Sequence, residues 1–161
     1  MLQRRSAAAA DEPFLRELYA TTRPEVAAWE DEARNEFLDL QFRAQERDWA
    51  ARFPGSTHEL ILLDGDAIGR LWVAWLASEC VFVDMTLVPE HRRGGIGTQV
   101  MGEILAEADS RNVPVRLTVE RTNGPSLAFC ARLGFEIVGE EPVYVVLERP
   151  ISGNPRPQAS G

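Results

Sequence analysis

The chain has 161 residues, 45% hydrophobic and 26% charged, the proportions of a soluble globular domain long enough to bury a core. Its net charge of -8 at pH 7 argues against nucleic acid as a partner, because phosphate backbones call for clustered positive charge. No apolar run approaches the ~18 residues of a membrane span, and residues 1–10 offer too short an apolar segment for a signal peptide. With two cysteines, Cys80 and Cys130, a reducing and cytoplasmic setting is expected rather than a disulfide framework.

In chain order, residues 2–6 read as a short strand. Residues 11–22 place Phe14, Leu15, Leu18 and Tyr19 at helical spacing, with Asp11 at the N-cap and Pro13 in the first turn. A second helix over 31–53 carries Phe37, Leu38, Phe42, Trp49 and Phe53 along one side, and most of these aromatics are expected in the core. Pro54-Gly55 ends it. Residues 59–63 and 67–76 flank an Asp64-Gly65 turn and predict a β-hairpin. A strand over 81–88 is followed by a helix over 97–111, with Met101, Ile104, Leu105 and Ala108 as its buried stripe. A short strand over 115–119 precedes a helix over 125–133 that stops at Gly134, a C′ glycine. Strands over 135–138 and 143–147 close the domain. The sequence predicts one domain over 1–150 and a disordered tail over 151–161, rich in Gly, Pro, Ser and Gln. The order β-α-α-β-β-β-α-β-α-β-β predicts a mixed α/β fold.

One segment is richer than the rest. The β-branched run Val81-Phe-Val-Asp-Met-Thr-Leu-Val-Pro89 leads into Glu90-His-Arg-Arg-Gly-Gly-Ile-Gly-Thr98, a basic, glycine-rich turn at the start of a helix. The first amides of a helix have no partner inside it, and the macrodipole adds partial positive charge there. Such a junction is built to cradle an anion, and pyrophosphate is the natural guest. A P-loop is excluded, because all 17 basic residues are arginines and that motif needs lysine. A dinucleotide fingerprint starting at Gly95 fails as well, since its third glycine falls on Val100.

What remains is Arg92-Arg-Gly-Gly-Ile-Gly97, of the form R-x-x-G-x-G after a strand. It resembles the acyl-CoA site of the GNAT superfamily of N-acetyltransferases. Downstream, Asn123-Gly-Pro-Ser-Leu-Ala-Phe-Cys-Ala-Arg-Leu-Gly-Phe135 is similar to a second motif of that family. The resemblance covers most of the chain and is strongest over 81–135. It implies a central mixed sheet of about six to seven strands flanked by about four helices, and an acetyl group passing from acetyl-CoA to a primary amine by direct attack in a ternary complex. It further implies that Arg92, Arg93, Gly94, Gly95, Ile96, Gly97 and Thr98 hold the pyrophosphate. Met85, Thr86 and Leu87 would meet the extended pantetheine arm, and Asn123 would bond the cofactor. Asn123 is equally placed to cap the helix that follows it.

The tyrosine that this family uses to protonate the leaving thiolate is replaced by Cys130. A thiol can donate such a proton, and it can equally be a small buried apolar residue. Tyr144 is the substitute acid that the last strand offers. Asp84 and Glu120 are the candidate bases, since a free alkyl amine is mostly protonated at neutral pH. His91 adjoins the cradle and His58 begins a strand with nothing nearby to pair it. No cluster has metal-ligand spacing, so no metal is expected. The acceptor carries no motif; the resemblance admits a small amine or a peptide amine, and a homodimer. The alternative is a non-catalytic acyl-CoA-binding module or sensor.

Overall fold

The computed structural model describes residues 1–152, so all but the first two residues of the tail expected over 151–161 lie outside the described residues. These residues form seven strands and four α-helices: β1 (Leu2–Ser6), α1 (Glu12–Ala20), α2 (Asp31–Arg52), β2 (Thr57–Leu63), β3 (Asp66–Trp75), β4 (Cys80–Leu87), α3 (Ile96–Ser110), β5 (Val115–Glu120), α4 (Gly124–Arg132), β6 (Glu136–Glu140) and β7 (Tyr144–Arg149). The strand order is β1-β2-β3-β4-β5-β7-β6. The expected mixed α/β fold is therefore observed, with every element present. The chain divides into two compact units, one of residues 1–74 with 84–97, the other of 75–83 with the described residues from 98.

In the first unit β1 pairs antiparallel with β2, and β2 with β3. The hairpin turn carries Asp64 at φ 52° and Gly65 at φ 91°. Two successive positive φ values match the right-handed twist of the flanking strands, which is why Asp-Gly serves there. β3 is buried from Ile68 to Ala74 without alternation, as in a strand covered on both faces. Leu15, Tyr19, Phe42 and Leu60 form an apolar cluster, with Phe14 and Leu38 packed against it. The aromatic side of α2 proves thinner than its spacing implies. Phe42 is its single buried residue, while Phe37, Trp49 and Phe53 are less deeply placed. The helix is strongly charged, and those rings find partners at its margins: Trp29 lies 5.1 Å from Phe37, and Trp72 5.4 Å from Trp49. Asp11 does not cap α1 with its side chain; its carboxylate instead accepts from Arg5 and from the Ala8 amide, 2.7 Å away.

In the second unit the predicted stripe of α3 is buried, joined by Val100. β5 pairs antiparallel with β7 and β7 with β6, whereas β4 meets β5 in parallel through Cys80↔Val115 and Val81↔Arg116. α4 ends as its glycine requires. Gly134 has φ 89°, its amide donates to Ala131, and that of Phe135 donates to the Cys130 carbonyl at 3.1 Å. These two bonds are a Schellman cap, which uses carbonyls the helix leaves free.

Candidate active site

The candidate residues divide between the two units. In the first, β4 ends at Leu87, and the Val88 amide donates to the Ile68 carbonyl at 2.8 Å. A single turn of 3-10 helix over Pro89–His91 follows, and α3 starts at Ile96. Between them Arg93 stands at φ 62° and Gly95 at φ 86°. Arg92, just before them, is extended, with φ -75° and ψ 151°. Gly95 is required by its φ, with open space around a Cβ built there. Gly97 has a different reason: a Cβ there would come 3.3 Å from Met85 Cε, so the start of the helix packs closely on β4. Gly94 is free of crowding, with nothing nearer than 4.0 Å. Arg93 is exposed.

Arg92 acts as a brace. Its Nε donates to the Leu87 carbonyl and its Nη2 to Thr21 Oγ1, each at 2.9 Å, tying the end of β4 to the C-terminus of α1. Sequence reasoning assigned Arg92 to the phosphate and did not find this tie.

Asp84 is similarly committed. Its Oδ2 accepts from Arg70 Nε at 3.0 Å and from Thr86 Oγ1 at 2.9 Å. Arg70 is 4% exposed and lies amid acceptors. It also donates to Glu46 Oε1 and Gln45 Oε1, both at 2.7 Å, and stacks over the Trp49 ring at 4.9 Å. A buried guanidinium is tolerated only when so satisfied. Arg70 was missed because its partners are 14 to 25 residues away in sequence. Gly69, beside it, was missed as well. A Cβ there would stand 2.5 Å from the Thr86 carbonyl oxygen and 2.7 Å from Leu87 Cδ2. Only glycine lets β3 approach β4 this closely; the signal in the sequence was a lone glycine inside a strand pattern.

In the second unit Asn123 caps α4, its Oδ1 accepting from the Ser126 amide at 3.3 Å. The cap reading therefore holds, and the Nδ2 donors are not used by it. Cys130 is 3% exposed, and burial pushes its thiol pKa up, as expected of a structural cysteine. Tyr144 is exposed at the start of β7 and stands opposite Glu120, the last residue of β5. Thus a candidate acid and a candidate base share one rung of the ladder.

His91 is half-buried in the turn after β4. His58, expected to lack partners, stacks on Trp72 at 4.3 Å between ring centroids and 18° between planes. Its Nε2 is buried without a hydrogen bond. Among the described residues no group of three or more His, Cys, Asp or Glu is placed to hold a metal ion, and no helix is long and apolar enough to cross a membrane.

The chain matches the acetyltransferase (GNAT) family model over residues 13–135 and belongs to that family. No curated protein matches it significantly. Among solved structures, the PaiA N-acetyltransferase of Thermoplasma acidophilum in complex with coenzyme A is similar, with a TM-score of 0.71 at 16% identity over 93% of this chain and 99% of that one. An acetyltransferase from Thermus thermophilus gives 0.70 at 20% identity over 94% and 97%. The ribosomal-protein-S18-alanine N-acetyltransferase of Escherichia coli gives 0.66 at 16% identity, covering 97% of each. At such identities the likeness is one of fold.

Proposed function

We propose that this GNAT-family chain is an acetyl-CoA-dependent N-acetyltransferase acting on a primary amine by direct attack in a ternary complex. The observation that carries the reading is the junction of β4 and α3. There two residues of positive φ, Arg93 and Gly95, lead into a 15-residue helix, and the opening amides of a helix are free to meet an anion. In this reading the amides of 93–98 and the Arg93 side chain hold the pyrophosphate. The backbone of Met85 and Leu87 pairs with the pantetheine amides, and Asn123 Nδ2 donates to the cofactor.

The amine must lose a proton before its lone pair attacks the thioester carbonyl. When the C–S bond breaks, the thiolate must gain one, and the nitrogen of the new amide gives up its remaining excess proton to water. Glu120 accepts the first through water and Tyr144 supplies the second; their placement on one rung supports this division of labour. Asp84, bound to Arg70 and Thr86, is better suited to holding β4 in shape than to moving protons. Burial of Cys130 favours a structural role for it.

A small cationic or free-amino acceptor fits the net charge of -8. Two free, buried cysteines are in keeping with a cytoplasmic setting. The test is thiol release from acetyl-CoA against a panel of amines, with hydrolysis subtracted, at low and high salt. Amine-dependent release that falls with ionic strength for cationic acceptors is expected. Tight acetyl-CoA binding without release for any amine would point to a non-catalytic acyl-CoA sensor.

A further inference from the structure

A cavity of about 380 Å³ opens within the first unit, between the β1–α1 connection, α1, α2 and the start of β2. Leu15 and Phe42 give it an apolar side, and Glu12, Arg43, Glu46, Arg47 and His58 a polar one. Its volume falls within the range of small-ligand sites.

The charges in this wall are unevenly matched. Arg43 is paired with Asp39 at 3.1 Å and Glu12 with Arg16 at 2.7 Å. Arg47 makes no ion pair or hydrogen bond from its side chain among the described residues. Glu46 has the opposite deficit, because its close cation, Arg70 at 2.7 Å, is shared with Asp84 at 3.0 Å. One wall thus holds a cation lacking a counter-charge and a carboxylate with half of one.

We propose that this cavity binds a small zwitterion, a free α-amino acid with an aliphatic side chain. Its carboxylate sits on Arg47, its ammonium between Glu46 and Glu12, and its side chain against Leu15 and Phe42. Each end then answers one deficit, and apolar surface is covered at the same time. Burial, with the nearby charges of Asp84 and Glu12, raises the Glu46 pKa against the pull of Arg70, a cost that an adjacent ammonium relieves.

The chain has two histidines, so each can be followed in an NMR titration. His58 lines the cavity and His91 stands in the turn after β4, an internal control. Using the full chain without acetyl-CoA keeps the outcome separate from that of the transferase reading. L-leucine should shift the His58 signals saturably and leave His91 unmoved. 4-Methylpentanoate and 3-methylbutylamine, each with one of leucine's charges, should bind at least tenfold more weakly. Arg47→Ala, a change at an exposed position, should weaken leucine at least tenfold. Glu46→Gln should weaken leucine but not 4-methylpentanoate. Absence of saturable binding, a shift at His91 alone, a single-charge analogue as tight as leucine, or full affinity in Arg47→Ala would each overturn the proposal.

Discussion

Glu120 of β5 and Tyr144 of β7 are directly opposed in an antiparallel ladder, and both are exposed. Opposed residues have Cβ atoms about 4.5–5.5 Å apart, so their side chains leave the same face side by side. If they act as base and acid for one transfer, Tyr144→Phe should lower turnover about 10²-fold or more, and Glu120→Gln by a similar factor. The double variant should lose less than the product of the two, as groups acting on one transition state do. Cys130→Ala should lose far less turnover than Tyr144→Phe. The reverse ranking in steady-state rates would move acid catalysis to Cys130.

Gly95 and Gly97 are glycine for different reasons, and calorimetry tests the proposed cofactor site at both. Gly95→Ala forces a Cβ onto a left-handed residue at about 1–2 kcal/mol. Gly97→Val presses on Met85, already 3.3 Å from a Cβ at that position. Both should raise the acetyl-CoA dissociation constant about tenfold or more, through one or two lost charge-assisted hydrogen bonds. Arg93→Gly relaxes the backbone and removes only the guanidinium, so its loss should be the smaller. Unchanged affinity in a folded Gly97→Val protein would place the cofactor elsewhere.

Gly69→Ala should cost about 1–3 kcal/mol in chemical unfolding, because the new methyl meets backbone that cannot step aside. Acetyl-CoA affinity should fall with it, since Thr86 and Leu87 must move. Gly102→Ala is the control: it lies within α3 with nothing inside 4 Å, and should stabilise by about 0.5–1 kcal/mol. Equal effects at the two sites would show that β3 and β4 yield to each other easily.

Burial, reinforced by the Arg70 charge and opposed by Asp11, holds His58 down to a pKa of about 4. Its ordinary value is 6.5. As pH falls through that ordinary value, the unfolded chain takes up a proton that the native state refuses until about pH 4. The unfolded state binds more protons in this window, so native stability should decline from neutrality toward pH 4. His58→Phe should flatten the decline in urea titrations at about pH 7, 5.5 and 4.5. Asp11, held at about 2 mainly by its Arg5 bond, acts in a lower window, losing its contribution as pH falls below its ordinary 3.8. Parallel curves for parent and variant would mean that His58 titrates as in water.

Cys80 and Cys130 should both be silent to DTNB in the native protein. Burial pushes the Cys80 thiol up to about 12 and raises that of Cys130. Two thiols should titrate after denaturation, matching the two free cysteines. Rapid native reaction of Cys130 would reveal an accessible thiol and reopen its role in catalysis.

Local chemistry decided much of this protein. The period of the apolar residues, the Asp64-Gly65 turn and the Gly134 cap act within a few residues, and each element they predict is present. The junction of β4 and α3 was legible for the same reason, as a strand, a glycine-rich turn and a helix start contiguous in the chain. Only the tertiary structure could show that Arg92 braces Leu87 to Thr21, that Asp84 is held by Arg70, or that Gly69 admits Thr86. These contacts join distant residues, and sequence spacing carries no record of which long side chains meet across packed strands and helices. The charged α2 misled for a related reason: its aromatic spacing suggested one buried stripe, but how deeply each ring sinks depends on the neighbours it finds. Glu120 and Tyr144 were legible singly, and their pairing became visible only with the register of β5 on β7.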